Sequence, residues 1–280
     1  LKKRILLKDG AIGTMLAKTP EGKEVPFYEI LNINHPNVIE NLHRSYLDAG
    51  ADIITTNSFS GHPFVLAEWG EEKNTFEINR NAAAIAKKVV SESGKNAYVA
   101  GSIGPTNASL TLGRGKIDFD TLFDGYKLQA KALLEGGADF LLVETIHDTL
   151  NAKAAIAAIL TLLDEGYETE IALSMTINSI DDESETSDVN LAGQNISSFV
   201  ASFSHCKPIY FGLNCSLGPL SLLKPFEILA KLSPEPVALV PNAGLPDEKG
   251  NYNLSPESFA TQVQVLLEKQ LIHILSLIHI

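Results

Sequence analysis

The chain has 280 residues, of which 45% are apolar and 20% charged; that is enough apolar mass for a sizeable core and argues against disorder. Its formal net charge is -12, and no Lys/Arg cluster appears beyond the opening "KKR", which argues against a nucleic-acid partner, because phosphate binding needs grouped cations. No window reaches the roughly 18 apolar residues of a membrane span, "LKKRILLKDGAIG" is too short in apolar residues for a secretory leader, and two cysteines do not make a disulfide framework, so a cytoplasmic protein without a membrane partner is expected.

In chain order, short apolar runs alternate with longer amphipathic segments. "RILL" (4–7) is followed by "HPNVIENLHRSYLDAG" (35–50), where Val38, Ile39, Leu42, Tyr46 and Leu47 fall at helical spacing and Gly50 suits a C-cap. His43 in that helix reads as a surface or packing residue. "ADIITT" (51–56) precedes a helical pattern over 75–94 that again closes on glycine. "AYVAGS" (97–102) precedes a helix over 118–137, and "DFLLVE" (139–144) one over 149–166. "EIALSMT" (170–176), "PIYFGLN" (208–214) and "PVALVPN" (236–242) follow. A last helix is predicted from Ser255 to Gln270, with Glu257 in its first turn, and then "LIHIL" (271–275). The acidic "DDESETSD" (181–188) reads as a solvated loop.

Each apolar run has the length of a strand buried on both faces. Eight of them with helices between predict an α/β fold, a single (β/α)8 TIM-type barrel over residues 1–280. A doubly wound sheet is the alternative, but "DGAIGT" is not its GxGxxG turn.

In such a barrel the active site lies at the C-terminal ends of the strands. Polar residues fall there in every run up to the seventh: Asp9, Gly10, Gly13 and Thr14; Thr55, Thr56 and Asn57; Ser102, Gly104, Thr106 and Asn107; Glu144, Thr145, His147 and Asp148; Ser174 and Thr176; Asn214 and Cys215; Asn242. Taken singly, Asp9 also reads as a turn cap, Glu144 as a lysine partner, and Asn57 and Asn242 as partners of loop backbone. Together they ring one mouth, at a cost to stability unless paired or used. A buried Glu144 can hold an ammonium or take a proton. The amides of "DGAIG" can receive a carboxylate. The two together fit an amino-acid ligand. Cys206, at the opposite mouth, reads as a small apolar residue.

The stretches "LLKDGAIGT", "LHRSYLDAGADIITTNSF", "GSIGPTN", "EGGADFLLVETIHDTLNAKAAI", "LAGQN", "FGLNCSLGP" and "PNAGLPDEKGNY" resemble the homocysteine S-methyltransferase family, and within it the homocysteine-binding modules of cobalamin-dependent methionine synthases. The resemblance implies a (β/α)8 barrel enzyme that transfers a methyl group to the homocysteine thiolate, forming methionine. It implies zinc held by three thiolates, with Cys215 as one of them. It implies Asp9, Gly10, Ala11, Thr14, Asn57, Glu144, Asn214 and Asn242 around the amino acid, with Glu144 and Cys215 closest to the chemistry. Methylcobalamin would be the donor, carried on another domain, and folate- and cobalamin-binding modules would be partners in a longer chain.

One stretch departs from the family. The other two zinc cysteines belong to a GGCCG motif after strand eight, where this chain reads "LSLIHI" and repeats "LIHI" at 271–274 and 277–280. Residues 275–280 are therefore expected to be an atypical tail, with the barrel cut short after strand eight. One thiolate does not hold zinc, and His273 and His279 are the nearby substitutes. With no helix after it, strand eight is expected to expose Ile272, Ile274 or their neighbours. Two alternatives to the cobalamin-dependent reading remain: a stand-alone methyltransferase using S-methylmethionine or a similar donor, and a metal-free amino-acid-binding paralogue.

Overall fold

The computed structural model describes residues 4–178, 188–215, 217–243 and 254–277; the acidic stretch 181–187 and His279 lie outside them. Eight parallel strands close in sequence order: β1 (Leu6–Gly10), β2 (Ile53–Thr55), β3 (Tyr98–Ile103), β4 (Phe140–Ile146), β5 (Glu170–Met175), β6 (Phe211–Asn214), β7 (Val237–Val240) and β8 (Ile274–Leu277). The barrel predicted from the alternation of runs is the one observed.

Side chains alternate across each strand. Leu6, Ile53, Ala100, Phe140, Leu142, Ala172, Tyr210, Ala238 and Ile274 fill the barrel interior. Their strand neighbours Leu141, Val143, Leu173, Phe211, Leu213 and Leu239 point outward, and pack with helix residues such as Leu133, Ile159, Phe199, Phe226 and Leu266. Strands buried on both faces read as continuous apolar runs for this reason. The predicted helices are present at Pro36–Asp48, Thr75–Ser93, Phe119–Glu135, Thr149–Asp164 and Pro256–Glu268. Gly50 and Gly94 follow their helices at φ +103° and +65°, the left-handed turn-off that glycine takes without strain.

Two boundaries differ from the sequence reading. β1 runs on to Gly10, because Lys8 pairs with Ile53 of β2 although its charge hides the strand pattern. β8 starts at Ile274, where it meets Leu6 and Ala238. Of the residues expected to be exposed, Ile272 and Ile274 themselves are buried. Ile274 is 1% exposed inside the barrel, and Ile272 is 5% exposed in the same apolar cluster as Val237 and Leu266. The exposed residue on this side is Leu7 of β1, at 44%.

Candidate active site

A cavity of about 530 Å³ opens at the C-terminal ends of the strands, against the segment between β1 and β2. Lys8, Ser102, Glu144, Thr145 and Cys215 come to it from β1, β3, β4 and the end of β6; Gly10, Ala11, Gly13 and Thr14 form a wall; Phe27, Phe59 and Trp69 stand among the residues farther along the chain that line it. Phe27 and Trp69 stack at 5.9 Å between centroids.

Of the residues that the resemblance places around the amino acid, Gly10, Ala11, Thr14, Asn57, Glu144 and Cys215 line this cavity, as do Gly13, Thr55, Thr56, Ser102, Asn107 and Thr145 from the wider set of strand-end residues. Asp9 lies behind the lining and is 2% exposed. Its carboxylate accepts from the Thr55 N–H at 2.6 Å and the Thr55 hydroxyl at 2.7 Å, and Lys8 Nζ lies 3.5 Å away. Burial pushes the Asp9 carboxyl up, against the pull of Lys8 and Thr55. Glu144 is 7% exposed and accepts from Ser102 Oγ at 2.6 Å.

Asn214 does not line the cavity. Its Oδ1 accepts from Ser174 Oγ at 2.6 Å and from the Thr145 N–H at 3.1 Å; its Nδ2 donates to Thr145 Oγ1 at 2.8 Å and to Cys215 Sγ at 3.0 Å. An amide offers two donors and two acceptor sites, and all four are engaged. Asn214 therefore orients its neighbours and has no bond left for a substrate, unlike the expected role. Asn57 lines the cavity, but its Nδ2 donates to the Tyr28 carbonyl at 2.8 Å and to Asn32 Oδ1 at 3.1 Å. That amide is committed to the β1–β2 segment. Asn242 is buried, does not line the cavity, and leaves Oδ1 without a partner.

Thr145 and Cys215 take left-handed backbone, at φ 57° and 63°. For a β-branched residue this is a true outlier, of a kind that concentrates at functional sites. The β4–β5 register shifts between Val143 and Ile146, so the irregularity re-aims Thr145. Thr145 Oγ1 then lies 4.0 Å from Cys215 Sγ. The Cys215 thiol is pushed up to about 11, first by burial and then by Glu144, while Asn214 and Thr145 pull it back. Lys8, Glu29 and the aromatic residues were missed as site residues; Thr145 was named only among the polar residues at the strand ends. The one available signal was a lysine inside an apolar strand run.

Asp148 has a structural explanation. It caps the helix Thr149–Asp164 through the Leu150 N–H, and also accepts from Ser109 Oγ, the Thr111 N–H and Thr111 Oγ1.

The implied zinc does not fit the residues described. No group of three or more His, Cys, Asp and Glu among them is placed to hold a metal ion. His273 Nδ1 accepts from the Val237 N–H at the start of β7, whereas the Cys215 N–H bonds to Val240 at the far end of that strand. Cys206 Sγ lies 3.2 Å from its neighbour His205, in the turn before β6.

A sequence model of the family described as Homocysteine S-methyltransferase matches residues 6–275. The chain belongs to the homocysteine S-methyltransferase family. Among solved structures it is similar to the homocysteine methyltransferase MmuM from Escherichia coli, in its oxidized and metallated forms. Each is 21% identical with a TM-score of 0.75, over 99% of this chain and 92% of that one. The carboxyl transferase domain of Rhizobium etli pyruvate carboxylase aligns at 12% identity and a TM-score of 0.54, over 99% of this chain and 40% of that one. At these identities the likeness speaks for the fold. Within the family's barrel, the cavity at the strand ends is the candidate active site. No helix among the described residues is long and apolar enough to cross a membrane.

Proposed function

We propose that the cavity binds homocysteine and that the chain takes part in methyl transfer to its sulfur, giving methionine. The observation that carries this reading is that Glu144 and Cys215 line one cavity together with Gly10, Ala11 and Thr14, in a chain of this family. Glu144, fixed by Ser102, accepts the substrate ammonium. Gly10 and Ala11, where β1 gives way to the helix Ile12–Leu16, lie on the cavity to meet the carboxylate. Cys215, tied to Asn214 beside Thr145, faces the sulfur. The sulfur forms the new S–CH3 bond as the donor–CH3 bond breaks, and the cavity excludes water from that exchange.

The donor we propose is methylcobalamin on another domain, with folate- and cobalamin-binding modules as partners, because "ETIHDTLNAKAA" and "GLNCSLGP" favour that branch. A stand-alone enzyme using S-methylmethionine or a similar donor is equally compatible with the family. The third reading is an amino-acid-binding paralogue without a metal. No step is assigned to a metal.

The test is direct. The chain, and a variant in which GGCCGT follows Ile274 to supply two further thiolates, are assayed for bound zinc and for methyl transfer to homocysteine from methylcobalamin or S-methylmethionine. Transfer from one donor identifies the branch. Homocysteine binding without transfer from any donor, in either protein, leaves only the binder.

A further inference from the structure

β2 ends at Thr55, whereas β3 runs on to Ile103. The Thr56 N–H still bonds to the Ala100 carbonyl at 3.0 Å. Two residues farther along β3, side chains replace the backbone ladder. The Ser102 N–H donates to Thr56 Oγ1 at 2.9 Å, and Ser58 Oγ donates to the Ser102 carbonyl at 2.7 Å. Thr56 Oγ1 and Ser58 Oγ are 2.6 Å apart.

A hydroxyl has one proton to give. Ser58 gives its proton to a carbonyl, which only accepts, so Thr56 is the donor between the two hydroxyls. The bonds then run one way around a closed ring: from the Ser102 N–H to Thr56, from Thr56 to Ser58, and from Ser58 back to the Ser102 carbonyl. Thr56 and Ser102 are 1% exposed and Ser58 0%, so opening the ring strands a buried polar group, which is costly. The ring is anchored from outside the barrel, because Gln129 Nε2, on the helix Phe119–Glu135, donates to the Ser58 carbonyl at 2.8 Å.

The ring clamps the Ser102 backbone, and the Ser102 hydroxyl donates to Glu144 Oε1 at 2.6 Å. That oxygen is thereby held as an acceptor, and the second carboxylate oxygen is left for a substrate ammonium. Thr56 and Ser58 stand among the residues around the cavity, but the protons of both hydroxyls are spent inside the ring. We infer, resting on the homocysteine reading above, that Thr56 and Ser58 are positioning residues for ammonium recognition: their hydroxyls fix Ser102, which aims the Glu144 carboxylate at the substrate's amino group. Both act through Ser102, and on the amino end of the substrate alone.

The test is isothermal titration calorimetry of the chain with homocysteine and with 4-sulfanylbutanoate, which keeps the thiol and the carboxylate but lacks the amino group. Whatever holds the sulfur and the carboxylate contributes to both ligands, so the ratio of their affinities reports the ammonium site. Ser58→Ala and Thr56→Val each open the ring, and Thr56→Ser keeps its hydroxyl. The unmodified chain is expected to bind homocysteine about 10-fold or more tightly than the analogue. Ser58→Ala and Thr56→Val are each expected to weaken homocysteine about 5-fold and to bind the analogue as the unmodified chain does, while Thr56→Ser restores the ratio. Where one of the two ring-opening variants does not fold, the other carries the comparison. In a Ser102→Ala background, which already lacks the bond to Glu144, Thr56→Val is expected to change the ratio no further. Variants that weaken both ligands alike, that leave the ratio unchanged, or that lower it again without Ser102 overturn the positioning role and leave the homocysteine reading standing. Failure of the unmodified chain to bind homocysteine overturns that reading, and this role with it.

Discussion

His43 lies on the buried face of the helix Pro36–Asp48 and is 0% exposed, and neither ring nitrogen has a hydrogen-bond partner. Burial lowers its pKa from 6.5 to about 4. The unfolded chain therefore binds a proton between pH 6.5 and 4 that the folded chain refuses. Stability from this residue is complete above pH 6.5 and is lost as the pH falls toward 4. A shift of this size corresponds to roughly 3 kcal/mol, at 1.36 kcal/mol per pH unit. The neutral ring is also costly, since an unsatisfied buried polar group costs about 1–3 kcal/mol. His43→Leu removes both effects at similar volume. Urea unfolding followed by circular dichroism at pH 7 and pH 4.5 is the assay. The variant is expected to be as stable as the parent at pH 7 or about 1 kcal/mol more stable, and to lose about 2–3 kcal/mol less on acidification. Acid limbs that run parallel in the two proteins would refute the reasoning. So would a loss of more than about 2 kcal/mol at pH 7, which would mean that the ring has a partner.

Glu144→Gln should raise the KM for homocysteine about 10-fold or more, because a charge-assisted bond to the ammonium is worth about 1.5–3 kcal/mol; an unchanged KM would move the ammonium elsewhere. Thr145→Gly relieves the left-handed strain at φ 57°, worth about 1–3 kcal/mol, but frees the backbone at the cavity; a higher melting temperature with a lower kcat is expected, and a lower melting temperature would show no stored strain. In Gly125→Ala the new Cβ would stand 2.2 Å from His62 Nε2 and 3.0 Å from Pro63 Cγ. Because His62 is 1% exposed and accepts the Phe64 N–H on Nδ1, it has little room to yield, and a destabilisation of about 1–3 kcal/mol in thermal unfolding is expected.

The barrel was legible because its strands are buried on both faces and its helices on one, and those two patterns differ in period. Glu144 was legible because it directly follows three apolar strand residues, and Cys215 because it comes just past the run ending at Asn214, so the fold fixes where they emerge. The bonding of the amides was not legible. Asn214, Asn57 and Asn242 share a residue type and a place at strand ends. One is saturated by Thr145, Ser174 and Cys215, one is committed to the β1–β2 segment, and one keeps a buried oxygen without a partner. Such roles depend on which neighbours lie within about 3 Å, and only the closed barrel decides that. Lys8 was hidden for a related reason. A charged residue in a strand reads as solvent-facing until closure shows that its face is the interior.

Asn214 also links two features that would otherwise look independent. Thr145 is the penultimate residue of β4 and Cys215 follows β6, on strands separated by β5, and both take left-handed backbone. The same amide accepts the Thr145 N–H and donates to both the Thr145 hydroxyl and the Cys215 sulfur, while Ser174 of β5 donates to its oxygen. Strain in one strand end is therefore held by bonds from the other, through the strand between them. Removing the amide should release both conformations together rather than one. Asn214→Ala and Thr145→Gly should for that reason be non-additive in a double-mutant cycle of unfolding free energies, with Thr145→Gly changing stability by a different amount when Asn214 is already absent. Strict additivity would show that the two turns are strained independently.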